Sequence, residues 1–234
     1  MAVLTGKQNR INRVEWIEKT LAKIPPGARI LDAGAGELQF KRFCSHLKYV
    51  AQDFAQYDGK GDGAGLQHGV WDQSRLDITC DICNIPEPDE SFDAIMCIEV
   101  FEHLPNPVAA INEFSRLLRA GGCLILTAPF CSLTHQAPFH FYTGFNRYFY
   151  EKHLPEHGLK IIETDKNGNF FEYLAQEIWR IPSMAKRYAA KRPNPLELFA
   201  MLIMLNMLRR FSKADKGSNE MLCYGYHILA RKER

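Results

Sequence analysis

Apolar positions recur along this chain with two different periods, and the two alternate. Ile11, Val14, Ile17, Leu21 and Ile24 fall at helical spacing ahead of Pro25-Pro26-Gly27, so the pattern predicts a first helix that stops there. Short apolar runs then trade places with helical stretches. Residues 28–33 read as a first strand, with a helix following from about Leu38. Residues 48–54 read as a second strand ending at an acid, and residues 76–82 as a third. Residues 92–100 form an apolar fourth strand, the texture of a strand covered on both faces. Asn106 is the expected N-cap of the next helix and Pro107 its first position. Val108, Ile111, Phe114 and Leu118 make its expected buried stripe, and Gly121-Gly122 its stop. Residues 123–129 follow as a fifth strand.

Strands alternating with helices predict an α/β fold, a Rossmann-like and mostly parallel sheet with helices on both faces. Its ligand crevice belongs beyond the carboxyl ends of the strands. Small and polar residues do gather there: Asp32 with Gly34 and Gly36, then Asp53, Asp81, Glu99 and Thr127. After the fifth strand the texture changes. Residues 135–150 hold seven Phe or Tyr residues and two histidines, and a helix carries on to Gly158. Residues 159–165 and 221–232 read as the last two strands, and residues 166–220 between them as two helices, the second strongly apolar. The expected organisation is a single domain over 1–234, with its core at about 10–165 and 221–232 and a helical insertion at about 166–220.

Composition changes this picture little. Of 234 residues, 46% are hydrophobic and 24% charged, ordinary for a soluble globular protein. A net charge of +2 and the lack of basic stripes give no reason to expect nucleic acid. The first ten residues lack the apolar stretch of a secretion signal, and the basic ending Arg231–Arg234 reads as a solvated tail. Seven cysteines without such a signal suit reduced thiols and a cytoplasmic location. Cys80 and Cys83 form a lone C-x-x-C with no second pair at zinc spacing, so packing is expected of them and no metal site is assigned.

The strand–glycine–helix stretch at 30–40 is half of a dinucleotide fingerprint, but Gln39 stands where the third glycine belongs. On that stretch alone NAD, FAD and S-adenosylmethionine (SAM) stay open. The acids discriminate. A carboxylate at Asp53 suits the hydroxyls of a ribose in any of these ligands. Asp32, aimed into the glycine loop, opposes a pyrophosphate but suits an ammonium and a sulfonium. Asp81, after the third strand, is placed to accept from an adenine amino group while Ile82 packs the ring. An acid after each of three successive strands favours SAM.

At this point the chain resembles a known family. Residues 30–37, 51–54, 80–107 and 117–130 look like the successive motifs of class I SAM-dependent methyltransferases of the broad type-11-like group. The resemblance implies a seven-stranded sheet whose last strand is antiparallel, and SAM as cofactor. It implies that Asp32, Gly34 and Gly36 surround the methionine part of SAM. Asp53 would then hold the ribose, Asp81 and Ile82 the adenine, and Cys97 with Ile98 the far wall. It does not name the acceptor. An Asn/Asp-Pro-Pro-Tyr mark of exocyclic base methylation is missing. The expected reaction is therefore O- or N-methylation of a small molecule, such as a sugar or a lipid-linked intermediate. The alternative is a non-methylating SAM-pocket protein, an aminopropyl transferase or a SAM-binding regulator.

A hydroxyl acceptor must lose its proton, and a base titrating near neutral pH suits that task. His135 and His140 are the candidates, both within the aromatic segment after the fifth strand, with His140 the more buried between Phe139 and Phe141. Glu99, Glu102 and His103 sit at the end of the fourth strand, where His103 is expected to cap or pack. The apolar helix of the insertion is too short and interrupted to span a bilayer. A partner surface is expected for it, either a homodimer contact or, with Lys191, Arg192, Arg209 and Arg210 at its flanks, peripheral membrane contact.

Overall fold

The structure is a computed structural model that describes residues 5–233. The reading of the N-terminus as signal-free and the basic ending fall in part on residues 1–4 and 234, outside the described residues. The chain divides into two compact units. One comprises Trp16–Asp165 with the segment from Gly225 on; the other comprises Lys166–Tyr224 with the N-terminal segment up to Glu15.

The first unit holds the sheet. Its strands are β1 (Arg29–Ala33), β2 (Lys48–Asp53), β3 (Ile78–Thr79), β4 (Phe92–Ile98), β5 (Leu118–Pro129), β6 (Leu159–Asn167, reaching into the second unit) and β7 (Gly225–Lys232). They lie in the order β3-β2-β1-β4-β5-β7-β6. β1 pairs in parallel with β2 and with β4, and β4 with β5, while β7 runs antiparallel to β5. This is the expected seven-stranded sheet with its antiparallel last strand. Ile30, Leu31, Ile95, Met96, Leu124 and Leu126 are fully buried, as strands covered on both faces require. Helix α1 (Asn9–Leu21) leads into the sheet and buries Trp16, Ile17, Thr20 and Leu21, whereas Ile11 is exposed. Helix α2 (Pro107–Leu117) covers the sheet with Ala110, Ile111, Phe114 and Leu117, and α3 (Arg147–Glu156) precedes β6.

Three expected elements differ. No α-helix follows β1. Leu38 takes a left-handed φ of 61°, and successive three-residue turns (Leu38 N–H to Ala35, Lys41 N–H to Leu38) end in one 3-10 turn at Lys41–Phe43. The connection from Ala33 to Lys48 is near the lower limit for a parallel crossover, and the chain returns by turns that still bury Leu38, Phe40 and Cys44. β3 shrinks to two residues because Asp77 accepts the N–H of Ala51 at 2.8 Å with its side chain, the bond a longer strand would have made with its backbone. Gly121-Gly122 does not end α2. The helix stops at Leu117, and β5 starts at once with Leu118 paired to Phe92. Leu118 is therefore strand, and Val108 of the expected stripe is half-buried. Asn106 caps α2 as its sequence suggests, accepting the N–H of Ala109 at 3.1 Å.

The second unit holds two helices of 19 residues each, α4 (Phe170–Tyr188) and α5 (Pro195–Lys213), each capped by an asparagine. Ala175 and Ile178 of α4 pack on Leu205 and Leu208 of α5.

Candidate functional site

The loop after β1 is held closely. Gly34 and Ala35 both donate their N–H groups to the carbonyl of Gln52, at 2.9 Å each. Gly34 has φ 79°, and a Cβ there would come 2.5 Å from Val100 Cγ2. Gly36 has φ 51°, and a Cβ there would lie 2.7 Å from Cζ2 of Trp71. Both positions therefore demand glycine, for backbone conformation and for room. Trp71 belongs to the long connection between β2 and β3, where it meets Tyr57 and His68 edge-on.

Asp32 and Asp53 end β1 and β2 beneath this loop. Asp32 is 2% exposed and accepts the phenol proton of Tyr49. Burial raises its carboxyl to about 7, the Tyr49 bond opposing the rise and the Asp53 charge adding to it. Asp53 is buried too, and its oxygens already have partners. Oδ2 accepts from Gly36 N–H at 2.9 Å; Oδ1 accepts from Ala55 N–H at 3.0 Å and from the Gln73 amide at 3.1 Å. A carboxylate has about four acceptor positions, so room for one more donor remains, on Oδ2. Asp81 is exposed and caps its own turn, accepting Cys83 N–H at 2.9 Å, while Ile82 beside it is buried. Cys80 and Cys83 stand as separate thiols, both pushed up by burial, Cys83 to about 11.

Cys97 and Ile98 close β4 and are buried. Burial, then the nearby carboxylates of Asp32 and Glu102, push the Cys97 thiol well above its ordinary range. β4, whose Met96 pairs with Asp32, thus leads from the acid of the glycine loop to a second group of residues in the turn Phe101–His103.

That second group is histidine-rich. Ring centroids of His103 and His135 are 4.6 Å apart, and those of His135 and His140 4.8 Å. Nε2 of His103 and Nε2 of His135 each lie 3.8 Å from Oε1 of Glu102, which is 1% exposed. Nδ1 of His103 is 2.6 Å from the carbonyl of Phe139, and Nδ1 of His135 is 2.8 Å from that of Leu133. Carbonyls only accept, so both rings donate from Nδ1, and both Nε2 atoms face Glu102. Burial, aided by His135, lowers His103 to about 3 and fixes it neutral. Burial also lowers His140, whose Nε2 is 3.1 Å from the Ser132 hydroxyl. Among the described residues, Glu102, His103 and His135 bring three ligand atoms within 4.8 Å of one another. Two imidazole lone pairs, a carboxylate and Nδ1 protons anchored on carbonyls suit a divalent cation.

The two candidate histidines thus come together, and His103, expected only to cap or pack, joins them. It is drawn in by backbone docking: Phe141 and Tyr142 donate N–H bonds to the carbonyl of Glu102. The aromatic segment divides. Phe145 and Tyr150 are core, Phe141 and Tyr142 stay exposed, and Phe139 meets Phe54 edge-on at 5.0 Å. Sequence reading also passed over Trp71, Gln73 and the stretch 58–69, which docks on the histidine loop through Leu66 N–H to Thr134 and Gln136 N–H to Leu66. The only sequence signal there was the run of closely spaced glycines from Gly59 to Gly69.

Known proteins agree with this layout. Residues 31–126, fewer than half of the chain, match the family described as "Methyltransferase domain". This stretch covers β1 to most of β5, with both acids and the Glu102–His103 pair. The "Ubiquinone biosynthesis O-methyltransferase" of Xanthomonas axonopodis pv. citri is 34% identical over 118 residues, 49% of this chain and 48% of that protein. That of Xylella fastidiosa is 32% identical over 121 residues, 49% of this chain and 46% of that protein. The matches span about half the length of these curated relatives. A SAM-dependent methyltransferase structure from Archaeoglobus fulgidus superposes with a TM-score of 0.58 at 13% identity, covering 95% of this chain and 94% of that one. The putative sarcosine dimethylglycine methyltransferase of Galdieria sulphuraria gives 0.57 at 17%, covering 95% and 86%. At such identities these structures attest the class I methyltransferase fold.

Proposed function

We propose that this chain is a SAM-dependent methyltransferase that methylates a hydroxyl group of a small-molecule acceptor. The observation that carries this reading is the pairing of Asp32 with Met96 of β4, the strand that leads directly into Glu102 and His103, which sets a SAM-type loop next to a histidine group. A buried carboxyl poised near neutrality answers an ammonium or sulfonium, and it opposes a diphosphate. Gly34, Gly36 and Asp32 are assigned to the methionine part of SAM, Asp53 to the ribose, and Asp81 with Ile82 to the adenine. Cys97 and Ile98 are assigned to the wall. The two units act in this reading as one domain with the 166–220 segment inserted, working in the cytoplasm.

SAM supplies an electrophilic methyl group for an in-line displacement. The chain's own task is to hold the acceptor oxygen close and aligned and to take its proton. His135 and His140 are the proposed bases, with Nε2 of His135 directed inward by the Leu133 carbonyl. The anchored lone pairs of His103 and His135 favour a second version, in which Glu102, His103 and His135 hold a divalent cation. Its charge would favour the ionised hydroxyl. The relatives' O-methyltransferase names favour oxygen over nitrogen; a sugar or lipid-linked alcohol is the proposed acceptor class. The test is incubation with methyl-labelled SAM and panels of catechols, sugars and a lipid extract, followed by mass identification. S-adenosylhomocysteine release with a labelled acceptor is expected. Tight SAM binding without transfer to any panel would point to a SAM-binding regulator, and transfer of an aminopropyl group to the alternative enzyme.

A further inference from the structure

Helix α5 is apolar on two opposite sides, and only one of them is used. Leu205 and Leu208, with Met201 alongside, pack against Ala175 and Ile178 of α4. The other side carries Leu196, Phe199, Ile203 and Met207, spaced three and four apart and so in one stripe. Leu196 is 75% exposed, Phe199 60% and Ile203 56%, and Leu202, Met204 and Phe211 extend the same exposed surface. Scattered exposed leucines need no explanation, but a continuous stripe of this length marks a surface made to meet something apolar.

Charge says what that something is. Lys186 and Arg187 end α4, Lys191 and Arg192 lie in the connection, and Arg209, Arg210 and Lys213 sit in the last turns of α5. The acids nearby are turned to local tasks. Glu197 closes the capping box by accepting Asn194 N–H at 2.7 Å, Glu177 holds Arg180 at 2.9 Å, and Asp215 accepts from Gly217 and Ser218. The cations therefore border the stripe at both ends. Beside its N-terminal end lies a groove of about 360 Å³ lined by Pro182, Ser183, Lys186, Arg192, Pro193 and Leu198, in which two cations meet an apolar wall.

We propose that α5 lies in the interface of an anionic lipid bilayer, its stripe Leu196–Phe199–Ile203–Met207 among the acyl chains and the Lys186–Arg192 groove on a lipid phosphate. An apolar face rimmed by Lys and Arg is the pattern of an interfacial helix. Among the described residues no helix is long and apolar enough to cross a membrane, so α5 lies along the surface. A second copy is a poor occupant. Antiparallel pairing of two α5 stripes sets Arg209 and Arg210 against Lys191 and Arg192 of the other copy, and parallel pairing sets each basic end on itself. An anionic bilayer matches both the stripe and its rim.

The proposal goes beyond methyl transfer and is tested without it. The full chain is sedimented with vesicles of phosphatidylcholine alone and of phosphatidylcholine with phosphatidylglycerol, at low and high salt. Binding to the anionic vesicles, weakened by salt, is expected. Lys186→Glu with Arg192→Glu, at exposed positions, should weaken it about tenfold or more with an unchanged thermal melt. Phe199→Glu with Ile203→Glu should abolish it on both vesicle types. Failure to sediment, or equal binding to both vesicle types, overturns the proposal. So does a dimer in light scattering that the Phe199→Glu, Ile203→Glu variant dissolves, since a second copy then covers the stripe.

Discussion

Gln73 donates its side-chain amide to Oδ1 of Asp53 at 3.1 Å, so a residue far along the β2–β3 connection holds the acid assigned to the ribose. Asp53 thus has two duties, pinning the Gly36 N–H and the connection, and receiving the ligand. Replacing it removes both. Asp53→Ala should weaken SAM at least tenfold, about 1.4 kcal/mol, and lower the melting temperature as the buried N–H of Gly36 is orphaned. Gln73→Ala should weaken SAM less than Asp53→Ala does, because it leaves the carboxylate and its bond to the Gly36 N–H in place. Calorimetric titration of both variants decides. Unchanged affinity in Asp53→Ala removes that residue from the site.

Asp32 makes the protein pH-sensitive in a direction fixed by its cause. Burial lifts its carboxyl from 3.8 to about 7. Above the lower value the unfolded chain has released a proton that the folded one keeps, so this group's contribution to stability declines as pH rises from about 4 to about 7. Asp32→Asn should raise the melting temperature by roughly 5 °C at about pH 8, and the gain should shrink toward pH 4. The same variant should lose SAM binding. A cationic ligand favours the ionised form, so titration near pH 6.5 in buffers of differing ionisation enthalpy should register proton release. No proton release would place the ammonium elsewhere.

The histidine group offers a separate test. His135→Gln or His140→Gln should cut turnover about a hundredfold at unchanged SAM affinity if that residue is the base. Near-normal rates in both variants leave positioning as the whole of catalysis.

A chelator distinguishes the cation version from a bare base. If Glu102, His103 and His135 hold a divalent ion, EDTA and His103→Ala should each reduce turnover at least tenfold, and added metal should restore only the chelated wild type. Full activity of the metal-stripped protein rejects that version and returns the task to the histidines alone.

Much of the frame was legible in the sequence because burial leaves a direct trace. β4 carries the apolar run Ala94–Ile98, and the residues at the ends of β1, β2 and β4 stand where strand-end logic puts them. Short-range reading failed where a distant group overrode it. Asp77 took the place of strand backbone at β3, and the pairing of Leu118 with Phe92 drew the chain into β5 before its glycines. The helix expected after β1 was lost to a connection too short for it. At the site, the acids were readable one by one, but the meeting of His103 with His135 was not. Those residues are brought together by backbone bonds between Glu102 and Phe141 and between Thr134 and Leu66, and such pairings have no periodic signature.

The sheet order carries a final consequence. Tyr224 donates its N–H to Asn167 at 2.8 Å, and Glu233 donates to Gly158 at 2.9 Å, the two ends of one antiparallel pairing between β7 and β6. The chain therefore leaves β6 and re-enters β7 at neighbouring points, while α4 is also held by the N-terminal segment, Gly6 donating its N–H to Glu172 and Trp179 its indole N–H to Thr5. A hairpin turn would close the gap between the two strands equally well. Because closure entropy grows only slowly with loop length, the segment behaves as a cassette. It can be lengthened or exchanged between related proteins without re-registering a strand, provided the face that meets Thr5, Gly6 and Asn9 is kept.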